Sequence, residues 1–224
     1  AVLPHEMNPP WTLVTSGQPL AYRNSDGGYP TAYLISTQAV DNVVFVQQGA
    51  SLEMTNHLIL EAVVRLASGE SAAPQRAPAG ISFVTEPHVG GAVWIGSSNL
   101  FVSAAGNAVG ASTNVDTTTT LHTYHIEVEG TAGGSPYTVY YDGRAVLTGA
   151  LYESAEEFGA QPRIAWGEPA DEAYGESHWY SFRHNAGAPV IPLSNPTQFA
   201  ACTNAAPPSL TAISGPFMDL TSEG

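Results

Sequence analysis

Leu121-His122-Thr123-Tyr124-His125-Ile126-Glu127-Val128-Glu129-Gly130 and, after a Gly-rich turn from Thr131 to Pro136, Tyr137-Thr138-Val139-Tyr140-Tyr141-Asp142-Gly143-Arg144-Ala145-Val146-Leu147 decide the fold. Side chains alternate along these stretches with the period of a strand that buries one face. Asp-Gly is a pair favoured by two-residue hairpin turns, because both central residues take positive φ there. The stretch therefore reads as a meander of antiparallel strands with a tight turn at Asp142-Gly143. His122 and His125 fall on opposite faces of the first strand, so they cannot share one metal ion. His122 reads as a structural hydrogen-bonding residue.

Working outward, Leu58 to Leu66 is a strand with Glu61 and Arg65 on the face opposite Leu60, Ala62, Val64 and Leu66. Glu61 and Arg65 are expected to form a surface ion pair. Further strands are Gly80 to Val84, Ala92 to Ile95, Leu100 to Val102, Arg163 to Glu168 and Ser177 to His184. Short apolar pieces between Trp11 and Val46, broken by a turn at Asn24 to Gly28, read as opening strands that pair with the far end of the domain. Ala104 to Thr120 reads as a polar connection, and Tyr152 to Phe158 as one short helical turn. The counts of 22 Gly, 17 Pro and 10 Tyr favour short strands and many turns. At 224 residues the chain suits one large sandwich and not two full domains.

The segment from His122 to Val146, the order Gly80-Ile81-Ser82-Phe83, Trp94-Ile95-Gly96, Leu100-Phe101-Val102, and the closing Arg163-Ile164-Ala165-Trp166-Gly167 with Ser177 to Arg183 resemble the concanavalin A-like, laminin G-like domains. The resemblance spans roughly 58–184, with a weaker extension back to Trp11. It implies an all-β, two-sheet antiparallel jelly-roll sandwich over residues 1–184. Residues 185–224, rich in Pro and Ala, are then an extended tail or arm. The start at Ala1 fits a removed signal peptide or a trimmed Met; the resemblance to secreted proteins favours the first and implies an extracellular protein, with a virion protein as the alternative.

All six basic residues are arginines, scattered at 23, 65, 76, 144, 163 and 183, against 20 acids for a formal net charge of −14. Such a surface repels phosphate backbones and anionic bilayers, so nucleic acid is not an expected partner. No apolar run approaches the ~20 residues of a membrane helix, so no membrane insertion is expected. Cys202 is the sole cysteine, which excludes an intrachain disulfide and a thiolate metal cluster.

Jelly-roll sheets of this class carry glucanases, lyases and sugar binders alike, so function has to come from the site. The family 16 glucanases place acid and nucleophile, about 5 Å apart, on one strand as E-x-D-x-x-E. Here the interval from Gly80 to Leu121 holds only Glu86 and Asp116, neither suitably partnered. No catalytic residues are assigned. Glu61 and Arg65 only faintly echo the lyase strand R-x-E-x-R, with His125, Tyr124, His178 and Tyr180 as its conceivable partners.

A non-catalytic carbohydrate-binding or adhesion-type domain is therefore the leading expectation, with Trp94, Tyr141 and Trp166 as sugar platforms. A surface-layer, filament or virion subunit assembled through its terminal arms, and so partnered by itself, is the alternative. A polysaccharide hydrolase or lyase is the second. No cofactor is required. A structural calcium is the ion that sequence leaves open, with Asp26 and Asp142 as its ligands.

Overall fold

The computed structural model describes residues 11–49, 52–71, 73–168, 172–187 and 218–219. Among them the chain forms sixteen strands and no helix. The first sheet runs in the order β1 (Thr12–Ser16), β4 (Asn42–Gln48), β14 (Arg163–Glu168), β6 (Ala79–Glu86), β7 (Val89–Ile95), β8 (Asn99–Ala104) and β9 (Ala108–Asn114). A two-residue strand, β13 (Tyr152–Glu153), pairs beside β7. The second sheet runs β12 (Arg144–Ala150), β11 (Pro136–Tyr141), β10 (His122–Glu129), β5 (His57–Ser71), β15 (Ala173–His184), β3 (Tyr29–Ser36) and β2 (Leu20–Asp26). Met218–Asp219, β16, pairs with β15 at Ser181 and Phe182, where β15 has run past the end of β3. Both sheets are antiparallel, and their order shows the long-range pairing expected of the opening strands: β1 and β4 join β14, while β2 and β3 join β15.

Alternation builds the core. Leu58, Leu60, Ala62, Val64 and Leu66 of β5 point inward beside Tyr124, Ile126 and Val128 of β10, in the register Leu60↔Ile126 and Leu58↔Val128. From the other sheet come Phe45, Ile81, Phe83, Val93, Ile95, Leu100, Val102, Ile164 and Trp166. An aromatic cluster ties the sheets together. Trp166 lies 4.7 Å from Phe45, 4.8 Å from Trp179, 5.5 Å from Phe182 and 6.0 Å from Trp11, centroid to centroid. Each fully buried side chain of this size contributes about 1.5–3 kcal/mol, and offset or edge-to-face rings add to that.

The hairpin at Asp142-Gly143 has φ of +48° and +79°, which explains the Asp-Gly pair. It joins β11 to β12, and β10, β11 and β12 form the expected meander.

Three local expectations are corrected. The connection Ala104 to Thr120 contains β9, a sheet-edge strand whose largely exposed faces give no apolar alternation to read. Tyr152 to Phe158 opens as β13, and only the bond from Phe158 N to Ser154 O, 3.0 Å, is helix-like. The turn after β2 is confined to Gly27-Gly28, since the strand continues through Asp26. Of the arm, only 185–187 and 218–219 are described; Cys202 and the remainder lie outside the described residues.

Candidate functional site

The outward face of the first sheet is built from the residues that alternate with its core positions. On β14, Ile164 and Trp166 point in while Arg163 and Ala165 point out; on β6, Gly80 and Ser82 point out, and on β7, Gly90, Ala92 and Trp94. Cross-strand register sets these side chains in rows: Ala165, Ser82 and Ala92 in one, Gly80, Trp94 and Phe101 in the next, Arg163, Val84 and Gly90 in a third. Small residues at the centre leave a cleft of about 350 Å³. It is floored by Gly80, Ser82 and Ala92.

One wall is Trp94, stacked on Phe101 at 6.3 Å and crossed by Arg76, whose guanidinium carbon lies 5.5 Å from the ring centroid. Arg76 comes from the loop joining β5 and β6, where its N donates to Ala73 O at 3.1 Å. The facing wall is the loop after β13. Tyr152 Oη donates to Glu157 Oε2 at 2.6 Å, and the Tyr152 and Phe158 rings lie 4.9 Å apart. The turn at His88, itself at φ +63°, holds this loop: Ser154 N donates to His88 O at 2.8 Å, and His88 N to Gly159 O at 3.0 Å. Gly90 is required beneath it, since a Cβ there would strike Phe83 O and press on the Phe158 ring. Ser103 Oγ, between Ala92 and Tyr152, accepts from Ala92 N at 3.0 Å.

The electrostatics of this cleft are unusual for so acidic a chain. Arg163 Nε is buried with no hydrogen-bond partner, and the side chain forms no ion pair among the described residues. Burial lowers its pKa, the mark of a charge taken from water without compensation. Trp94 Nε1 is likewise buried without an acceptor. Glu157 is engaged by Tyr152 and by Asn107 N, and Glu156 stands exposed at the rim. Burial raises the Tyr152 pKa, with the Glu157 hydrogen bond adding to it, so the phenol stays protonated at neutral pH and serves as a donor. The cleft can therefore present an aromatic surface, two guanidinium groups and hydroxyls to a small polar ligand.

The three aromatic platforms expected from sequence do not converge. Trp94 lines the cleft, its ring face occupied by Arg76. Trp166 is fully buried in the aromatic core, because parity turns it inward, and it presents no face to a ligand. Tyr141 lines a separate cavity of about 410 Å³ with Asp116 and Arg144. It packs beside His122, 2.8 Å from Oη to Nδ1, and burial with nearby Asp142 and Asp116 pushes its pKa up to about 12. Arg163 escaped sequence reasoning, although its signal was there: in Arg163-Ile164-Ala165-Trp166, an inward tryptophan sends the arginine outward.

Asp26 and Asp142 lie towards opposite margins of the second sheet. Asp26 accepts from Arg65 Nε at 2.5 Å and lies 2.8 Å from His178 Nδ1; although burial opposes it, hydrogen bonds with His178 and Arg65 and the Arg65 charge hold its carboxyl below the usual range. Asp142 ties its hairpin turn to the start of β10, accepting from Thr123 N at 2.9 Å and pairing with His122 Nδ1 at 2.8 Å. Among the described residues no three His, Cys, Asp or Glu side chains gather as a metal-binding group.

The outward face of the second sheet carries a polar network along the cross-strand row Tyr140, His125, Glu61, Arg183. Glu61 pairs with Arg183 and with His125, 3.4 Å away, while Arg65 goes to Asp26. The expected Glu61–Arg65 pair does not form, because residues four apart on a strand are separated by about 13 Å. Burial works against charge here, yet hydrogen bonds to Glu61 and Glu127 raise the His125 pKa and lower theirs. The groups of this network satisfy one another. Tyr124 is in the core, and His178 stacks on Tyr33 at 3.6 Å.

No protein-family model matches the chain, and no curated protein matches it. Solved structures do. The carbohydrate esterase vb_24B_21 from the Shiga toxin-encoding bacteriophage phi24B matches with a TM-score of 0.52 and 16% identity, over 77% of this chain and 88% of that one. The carbohydrate recognition domain of Emp46p, in potassium-bound form, matches at 0.44 and 9% identity, over 82% and 92%. Alginate lyase Aly36B matches at 0.41 and 10% identity, over 72% and 84%. Carbohydrate-recognition domains and carbohydrate-active enzymes thus both stand among the structural neighbours. At these identities the shared property is architecture alone: two antiparallel sheets that do not close into a barrel, a layout shared with the phi24B esterase and consistent with the concanavalin A-like sandwich expected from the sequence.

Proposed function

We propose that this chain is a non-catalytic, secreted carbohydrate-binding domain that takes a short glycan segment in the cleft on the outward face of its first sheet. The observation that carries this reading is the cleft itself: Gly80, Ser82 and Ala92 open a floor between Trp94 with Arg76 on one side and Tyr152 with Arg163 on the other. Fixed polar groups converging beside an aromatic wall are a composition that sugar sites use; here Arg76 lies over the Trp94 face, so guanidinium and hydroxyl groups supply the contacts to sugar hydroxyls. At about 350 Å³ the cleft accommodates one or two sugar rings. The polar network on the other sheet is internally paired and offers fewer free donors.

The test is a glycan array followed by titration calorimetry on the hits, using the full chain and Ser82→Tyr. Ser82 points outward from the floor, so the larger ring fills the cleft without entering the core. Binding by the wild type and its loss in Ser82→Tyr are expected. An array without hits, or hits that Ser82→Tyr leaves intact, would overturn this assignment.

A further inference from the structure

Resting on the glycan reading, one feature narrows the ligand class. Arg163 is the odd residue of the cleft. Its strand places it on a sheet face beside Ala165, Ser82, Ala92 and Val84, and among the described residues no carboxylate pairs with it. Two of the other described arginines pair with acids, Arg65 with Asp26 and Arg183 with Glu61. In a chain of 20 acids and six bases, a half-buried guanidinium without an acid is not a shortage of partners. A buried unpaired charge costs stability, and an apolar residue of similar length would serve packing at least as well. Arg76, held on the Trp94 ring, adds a second positive charge to the same cleft. The acids that face it are Glu156 and Glu157, and Glu157 is turned to Tyr152 and Asn107.

We infer that the cleft selects glycans bearing a carboxylate, with Arg163 pairing to that carboxylate when ligand is bound. The planar guanidinium fork matches two carboxylate oxygens, which a neutral sugar cannot offer. Arg76, held over the Trp94 ring, then contacts the neighbouring sugar, and the exposed Glu156 disfavours anions that reach the rim.

The experiment titrates the full chain with four probes: oligouronates, the same oligouronates with their carboxyls reduced to alcohols, sialyllactose beside lactose, and a sulfated neutral oligosaccharide. Binding to a carboxylated probe, lost on carboxyl reduction or desialylation, is expected. Arg163→Met should weaken that binding about ten- to a hundredfold, as for loss of a charge-assisted pair, while melting no lower than wild type. Equal affinity for carboxylated and reduced probes, or preference for the sulfated one, would overturn the carboxylate assignment and leave the glycan reading standing. Binding to none of them, with an empty neutral-glycan array, would remove both. The ligand-side comparison decides the matter even if Arg163→Met misfolds.

Discussion

Glu168→Gln should make the protein more stable, and only at neutral to alkaline pH. Glu168 ends β14 with 2% of its surface exposed. One oxygen accepts from Ser177 Oγ at 2.9 Å, and Ser177 Oγ in turn accepts from Trp179 Nε1 at 2.9 Å. The other oxygen is buried without a partner, and no cation pairs with the group among the described residues. Burial pushes its pKa from 4.5 up to about 8. Between those values the folded chain keeps a proton that the unfolded chain has released, so stability falls as pH rises and levels off above the upper value. At about 1.4 kcal/mol per unit, raising the pH from 5 to 7.5 removes about 3 kcal/mol. For a domain of this size that is a melting-temperature difference of about 6–12 °C. Glutamine has the same shape and no titration. Scanning calorimetry of both chains in matched buffers should find similar melting temperatures at pH 5 and an advantage of that size for Glu168→Gln at pH 7.5. Because each pH compares the two chains directly, other titrating groups largely cancel. A difference that does not change with pH would refute the assignment of a buried, neutral carboxyl.

Three further outcomes follow from the packing and the site. His184 is buried, its Nε2 is 2.9 Å from Gln47 Oε1, and burial pulls its pKa down to about 4; stability from the neutral ring is complete above 6.5 and drains away towards 4, so His184→Gln should flatten the acid limb of a melting profile. Gly149→Ala should destabilise by about 1–3 kcal/mol, because a Cβ there runs into the buried Tyr137 ring; a denaturation midpoint at or above wild type would contradict that contact. If terminal arms link copies, the β15 edge that accepts Met218–Asp219 is where a neighbour's strand would pair, and light scattering should then give a concentration-dependent multimer; a monomer at all concentrations removes that alternative.

Much of the fold was legible because strands write their faces into the sequence. Leu58 to Leu66 and Tyr124 to Val128 alternate strictly, and Asp142-Gly143 marks a turn whose φ values demand it. The edge strand β9 was not legible: with one neighbour and little burial it has no need of apolar alternation. The site was half legible. Trp94 lines the cleft, but an aromatic residue reads the same whether it faces ligand or core, and Trp166 faces core. What distinguishes them is parity against neighbouring strands. The walls are harder still, since Arg76 and the loop from Ser154 to Gly159 reach the cleft from loops far apart in sequence.

The most direct test of the cleft is the indole N–H region of a two-dimensional NMR spectrum, recorded while the tightest-binding glycan is titrated into the full chain. The chain has four tryptophans, and Trp11, Trp166 and Trp179 sit in the core between the sheets. Assigned by Trp94→Phe, the Trp94 resonance should move progressively and saturate with the calorimetric Kd while the other three stay within a small fraction of its shift. Binding at that Kd with the Trp94 resonance unmoved would place the ligand elsewhere and contradict the account.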